Sequence, residues 1–309
     1  MPARRADDEA AQHVSALLRS MLFVPGDSER KQAKAVDTAA DALILDLEDS
    51  VAVSQLPAAR IRVRELLVAH RTRRQQLWVR VNPLSGGSLI DDLVAVFPGG
   101  PDGLVLPKVS SAAEIVKVSE VLSGLETREG RSPGSTQLLV IATETPQAVL
   151  GLPRYAEILG QAPEALARLT ALTWGAEDLS AALGATGKFD GQGALTFTFQ
   201  LARSLTLLAA AAVAVQALDG VYVDFRDTQG LEREAHAARR DGFTGKLAIH
   251  PEQVAAINAA FSPTEAELAR ARRIVAAFAA SPHAGVLNLE GEMIDRPHLL
   301  QARRVLGSA

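Results

Sequence analysis

The chain of 309 residues contains no cysteine. Disulfide frameworks and thiolate metal sites are therefore excluded, and a reducing cytoplasm is the simplest compartment. Membrane-length apolar runs are also missing. The most apolar stretch, LTLLAAAAVAVQAL (Leu205–Leu218), is shorter than a bilayer span, rich in alanine and preceded by Arg203, so it reads as a buried helix. The opening segment MPARRADDEAAQHVSALLRS carries charges of both signs and no apolar core, which is not a signal-peptide pattern. Positive charge is in deficit: the net charge is −4, which argues against a nucleic-acid or polyanion surface. No GxGxxG follows the first strand-like run and no GxxxxGK[ST] occurs anywhere, so nucleotide-binding versions of an open α/β sheet lose support.

Hydrophobic residues are plentiful at 48%, enough for a sizeable core. Short β-rich runs recur, each followed by a helical pattern. They are Met21–Gly26, Ala42–Glu48, Gln76–Asn82, Gly103–Val109, Gln137–Glu144, Leu169–Gly175, Gly220–Phe225 and Lys246–Pro251. Their near-continuous apolar character suits strands buried on both faces, as in a parallel sheet. Eight strand–helix units in about 250 residues predict an α/β fold, a (β/α)8 TIM barrel. The expected organisation is an N-terminal arm over 1–18, a barrel over 19–280 and a C-terminal tail over 281–309. The tail, VLNLEGEMIDRPHLLQARRVL, reads as a hairpin followed by a helix.

Charge gathers at one end of these apolar runs. ALILDLEDS places Asp46, Glu48 and Asp49 after strand two; Arg80 and Asn82 end strand three, Lys108 strand four and Glu144 strand five. Glu177 and Asp178 follow strand six, Asp224 lies on strand seven and His250 on strand eight. The C-terminal strand ends are where a barrel builds its active site. Ionised groups there need partners or a metal. Carboxylates without cysteine and with few histidines point to a hard cation such as Mg²⁺, with Mn²⁺ as a substitute. Arg80 can grip a substrate carboxylate through its planar fork. Four positions also have plain structural readings: Asp49 as a helix cap, Asp224 as a partner of Arg226, His250 as a hydrogen-bonded turn residue, and Glu177 as a helix-start carboxylate.

The ordered motifs RSMLFVPGDSERKQAKA, ADALILDLEDSV, WVRVNP, GLVLPKV, IATETPQAV and LTWGAEDLSAALGA resemble the citrate lyase beta-subunit-like group of the HpcH/HpaI aldolase/citrate lyase family. GVYVDFRDTQGLEREAHAARRDGFTGKLAIHPEQVAAIN and EGEMIDRPHLLQARRVL extend the likeness from Arg19 to Leu306. The resemblance implies a TIM barrel with Mg²⁺ on Glu144 and Asp178. It implies catalytic roles for Arg80, Asp46, Glu48 and Asp295, and coenzyme A or substrate contacts for Arg30, Lys34, Lys108 and Arg80. Asp46 and Glu48 would hold metal-bound waters and neighbouring side chains, and Asp295 would act in the site of an adjacent subunit of a homotrimer or hexamer. The implied reaction is carbon–carbon cleavage, or the reverse condensation, of a 3-hydroxyacyl-CoA thioester of malyl-CoA or citramalyl-CoA type. A citrate lyase beta subunit working on a citryl thioester of an acyl-carrier protein, and a malyl-CoA thioesterase, stay open as alternatives. No nucleic-acid or membrane partner is expected.

Overall fold

The computed structural model describes residues 17–307 apart from Arg71 and Arg73. Residues 1–16 of the expected N-terminal arm lie outside the described residues. Eight parallel strands close into a barrel in sequence order, with β1 hydrogen-bonded to both β2 and β8. They are β1 (Ser20–Pro25), β2 (Ala42–Asp46), β3 (Gln76–Arg80), β4 (Gly103–Leu106), β5 (Gln137–Ile141), β6 (Leu169–Thr173), β7 (Gln216–Asp219) and β8 (Gly245–Ala248). Helices follow the strands, such as Ala112–Arg128 after β4, and the expected TIM barrel is the observed fold. No helix among the described residues is long and apolar enough to cross a membrane.

The barrel is filled rather than hollow. Met21, Ile44, Trp78, Val105, Leu139, Ala171, Leu218 and Leu247 form one buried cluster inside it. Alternate residues of a strand share a face, so the next inward positions after Ile44 and Trp78 are Asp46 and Arg80. The register places these two opposite each other across β2 and β3. The polar site is thus the top layer of the same inward stripe that builds the core.

One strand is not where the sequence suggests. Gly220–Phe225 is loop, and β7 is Gln216–Asp219. The run Leu205–Leu218, expected as one helix, divides into the end of the helix Phe197–Ala212 and most of β7. The turn between them contains Ala214 at φ 57, a left-handed residue that is not glycine. Several other strands stop one to three residues sooner than the apolar runs, which leaves Glu48, Lys108 and Glu144 on loops.

One compact unit ends at Asn258 and a second begins at Ala259. In the second, Ala271, Ile274 and Phe278 of the helix Glu265–Ala280 pack with Ile294 and Ala302. That helix, expected within the barrel domain, therefore shares a core with the tail. The tail forms the antiparallel hairpin β9 (Val286–Leu289) and β10 (Glu292–Asp295), then the helix Arg296–Gly307. Glu290 at φ 56 and Gly291 at φ 88 make the two-residue turn, whose positive φ values match the twist of the flanking strands.

Candidate active site

Asp46 and Arg80 are the fixed centre of the barrel mouth. Arg80 Nε donates to Asp46 Oδ1 at 2.6 Å and Nη2 donates to Oδ2 at 2.8 Å, a two-pronged grip. Asp46 also accepts the backbone N–H groups of Glu48 at 3.0 Å and Ser50 at 3.2 Å. Burial alone would push the Asp46 carboxyl up, but Arg80 and these donors hold it below the usual carboxylate range. Each oxygen thus accepts two bonds, which leaves little capacity for metal-bound water. Asp46, expected among the catalytic carboxylates, holds the neighbouring guanidinium of Arg80 in place. The fork expected to take a substrate carboxylate is closed on Asp46; the Nη1–Nη2 edge faces elsewhere. Nη1 lies 3.0 Å from Glu48 Oε2 and 3.5 Å from Asp49 Oδ2, and the guanidinium carbon sits 4.8 Å from the Phe23 ring centroid.

Glu48, Asp49 and Asp178 converge on Lys108. Its ammonium pairs with Glu48 Oε1, and lies 3.1 Å from Asp49 Oδ1 and 3.3 Å from Asp178 Oδ1. Asp49 is therefore part of the charge cluster and not only a helix cap. Lys108, expected among the coenzyme A contacts, has turned its ammonium onto acids and is absent from the lining of the cavity described below. Glu48 is less settled than Asp46. Its Oε2, although close to Arg80, is misaligned and makes no hydrogen bond. Burial raises the Glu48 carboxyl and the nearby Asp49 adds to the rise, against the opposing pull of Arg80 and Lys108.

Glu144 follows β5 by three residues, and Asp178 lies in the first turn of the helix Ala176–Leu183 after β6. Thr145 fixes the exit from Glu144: its hydroxyl accepts Ala148 N–H at 3.1 Å and Pro146 opens the helix Pro146–Gly151. Gly175 makes the space, since a Cβ there would stand 2.7 Å from Glu144 Cγ. Glu144 is 3% exposed and, among the described residues, its carboxylate accepts one hydrogen bond, from the backbone N–H of Lys108. Burial, with Asp178 and Glu48 nearby, pushes its carboxyl up to about 8. A buried carboxylate facing another with so few donors is the environment a hard cation relieves. Among the described residues no group of three His, Cys, Asp or Glu is arranged for a metal. A two-carboxylate site fits Mg²⁺, which usually takes one or two protein carboxylates and keeps waters or substrate oxygens for the rest.

A cavity of about 1080 Å³ opens over this centre, lined by Arg80, Glu144 and Asp178 and, on one side, by Arg30, Lys31 and Lys34. The last three are exposed on the helix Glu29–Val36, which brings Arg30 and Lys34, together with Lys31, to the cavity wall. His250 lines the cavity and stacks on Phe225 with centroids 4.5 Å apart, and His250 Nδ1 accepts Glu252 N–H at 3.3 Å, as suits a turn histidine. Glu177 pairs with Lys188, and the N–H of Arg226 donates to Asp224 at 3.1 Å in the loop after β7. Sequence reasoning missed Asp219. This fully buried β7 terminus accepts Trp174 Nε1 at 2.7 Å, Arg203 Nε at 2.9 Å and Lys246 Nζ at 3.0 Å. Its signal, an acid closing the apolar run QALD, was masked because Gln216–Leu218 were read as the end of the expected helix and Asp219 fell between that helix and the expected strand.

Asp295 lies in the second compact unit, at the end of β10. Its Oδ1 is 2.6 Å from His298 Nδ1 and accepts His298 N–H at 3.4 Å, so it caps the last helix. The His298 bond holds it below the usual carboxylate range.

An eight-stranded barrel with paired carboxylates and an arginine at its C-terminal mouth defines the class: a TIM-barrel enzyme site built for oxyanions and a hard cation. The chain belongs to the HpcH/HpaI aldolase/citrate lyase family, whose pattern matches residues 19–251. It is 38% identical over 293 residues to citrate lyase subunit beta of Escherichia coli (strain K12), covering 94% of this chain and 93% of the relative. It is 34% identical over 293 residues to mitochondrial citramalyl-CoA lyase of Rattus norvegicus, covering 93% and 85%. The crystal structure of protein CitE from Mycobacterium tuberculosis in complex with magnesium, acetoacetate and coenzyme A superposes with a TM-score of 0.74. That match has 33% identity and covers 95% of this chain and 98% of CitE.

Proposed function

We propose that the protein is a Mg²⁺-dependent carbon–carbon lyase. Its substrate is a 3-hydroxyacyl-CoA thioester of malyl-CoA or citramalyl-CoA type, which it cleaves to a keto acid and an acyl-CoA or forms in reverse. The observation that carries this reading is the single cavity shared by Glu144, Asp178, Arg80 and the cationic helix of Arg30, Lys31 and Lys34. Glu144 and Asp178 hold the cation, which when bound acts as a Lewis acid on substrate oxygens. The cationic helix meets the phosphates of coenzyme A. Likeness to the magnesium- and coenzyme A-bound CitE supports both assignments.

Arg80 presents its outer edge to the small acid unit, held in orientation by Asp46. In the cleavage direction the hydroxyl gives up its proton to solvent water, its oxygen becomes the carbonyl of the keto acid as the carbon–carbon bond breaks, and the electron pair of that bond becomes the enolate of the acyl thioester. Arg80 offsets the charge that develops on the oxygen. Glu48 and Asp49 counter the positive charge of Arg80 and Lys108 at the rim of the centre. Asp295 of a neighbouring copy protonates the enolate carbon, or removes that proton in condensation. The protein is then a cytoplasmic homotrimer or hexamer whose tails complete neighbouring sites. The cysteine-free composition suits that compartment.

The test is to incubate purified protein and Mg²⁺ with malyl-, citramalyl- and β-methylmalyl-CoA and to identify the products by mass. Keto acid and acyl-CoA in equal amounts are expected. Free coenzyme A without keto acid would make the protein a thioesterase, and turnover of only a carrier-protein citryl thioester would make it a citrate lyase subunit. Either result overturns the proposal.

A further inference from the structure

Lys108 stands in the loop two residues after β4 with φ 53, a left-handed conformation that favours glycine. Strain of this kind persists where the surroundings impose it, and here the surroundings are the acidic cluster. The turned backbone aims the Lys108 N–H at Glu144, while the side chain carries the ammonium to Glu48, Asp49 and Asp178. Among the described residues, no other group hydrogen-bonds or ion-pairs with the carboxylate of Glu144 or of Asp178. A single residue thus holds both carboxylates of the candidate metal pair, one through its main chain and the other through its side chain.

We propose that Lys108 is the built-in counter-cation of this centre: it positions Glu144 and Asp178 when no metal is bound, and by competing for Asp178 it sets how tightly the divalent cation is held. The inference rests on the reading of Glu144 and Asp178 as a metal site. The competition is electrostatic. An ammonium 3.3 Å from Asp178 Oδ1 repels an incoming dication and occupies an oxygen that the dication needs. The same ammonium keeps Glu48, Asp49 and Asp178 from repelling one another in the metal-free protein. Lys108 is in this account a positioning residue, and it need not touch the substrate.

The experiment is a titration with Mn²⁺, followed by the electron paramagnetic resonance signal of the free ion, on wild type, Lys108→Met and Lys108→Arg. It is paired with thermal unfolding with and without metal. Lys108→Met keeps the backbone N–H and the length of the stem but loses the charge. Its Mn²⁺ dissociation constant should fall by about tenfold, the scale of one lost unit charge nearby. Its unfolding temperature should drop without metal and recover on metal addition. Lys108→Arg keeps the charge and should stay near wild-type affinity. If Lys108→Met does not fold, Lys108→Gly accepts the left-handed backbone, removes the ammonium and should show the same tightening. Unchanged or weaker Mn²⁺ binding in the charge-free variant would overturn the proposal, as would an equal loss of unfolding temperature with and without metal. Failure of wild type itself to bind Mn²⁺ would strike the metal reading instead, which separates the two claims.

Discussion

Glu126 and Glu144 are both glutamates buried in the barrel unit, 0% and 3% exposed, and they are provided for in opposite ways. Glu126 accepts Arg168 Nη1 at 2.6 Å, Arg168 Nη2 at 2.7 Å, and the backbone N–H groups of Gly134 and Thr136, each at 2.7 Å. Burial opposes its charge, yet Arg168 and these donors bring its carboxyl down to about 2. Glu144 has one main-chain donor among the described residues, and burial carries it up to about 8. The chain saturates the first carboxylate with donors and leaves the second with open oxygens. Asp46 belongs with Glu126 by this measure, and Glu48 with Glu144.

The contrast can be broken from its structural side. Glu126→Ala leaves the Arg168 guanidinium buried without its partner, and should cost about 3–5 kcal/mol of stability by denaturant unfolding. Metal affinity should stay at the wild-type value. The pH dependence follows from the same pair. The folded-state carboxyl lies below its ordinary 4.5, so the contribution is present above about 4.5 and fades as pH falls towards about 2. Wild type should lose that increment in acid unfolding curves, and Glu126→Gln should not. From the functional side, Glu144→Ala or Asp178→Ala should lower kcat/KM by about 10³-fold, as loss of a Lewis acid worth several kcal/mol implies. Their stability without metal should be close to wild type, the reverse of Glu126→Ala. Full activity after chelation and Mg²⁺ add-back would contradict this.

Smaller effects sharpen the division. Arg80→Lys keeps a charge but gives up the planar grip on Asp46 and the outer edge for substrate, so roughly 1.5–3 kcal/mol of transition-state stabilisation should go. A wild-type kcat/KM in this variant would contradict the role. Mixing Arg80→Ala with Asp295→Ala under conditions of subunit exchange should restore a fraction of the activity, because some sites regain both groups. No recovery, with exchange shown directly, would mean that tails do not complete neighbouring sites.

The barrel was legible in the sequence because seven of its strands are apolar runs buried on both faces and bounded by polar residues. β7 was not. It follows the alanine-rich helix Phe197–Ala212 with no glycine or proline between them, and the chain turns at Ala214, whose positive φ carries no signature in its residue type. The placing of Arg80, Glu144 and Asp178 at the mouth was likewise readable, since the C-terminal ends of strands are fixed by topology. Their partners were not. That Asp46 would close on Arg80 depends on the β2–β3 register, and that Lys108 would face acids depends on one backbone angle.

The claim on which the rest depends is that Glu144 is left open for a divalent cation. Thermal unfolding of wild type and Glu144→Gln against increasing Mg²⁺ tests it without any substrate. A ligand that binds only the folded state adds stability by mass action, about 2.7 kcal/mol at a hundred times the dissociation constant, and so raises the midpoint. Wild type should show that rise and Glu144→Gln should not. A flat wild-type response, or an equal rise in both proteins, would contradict the account.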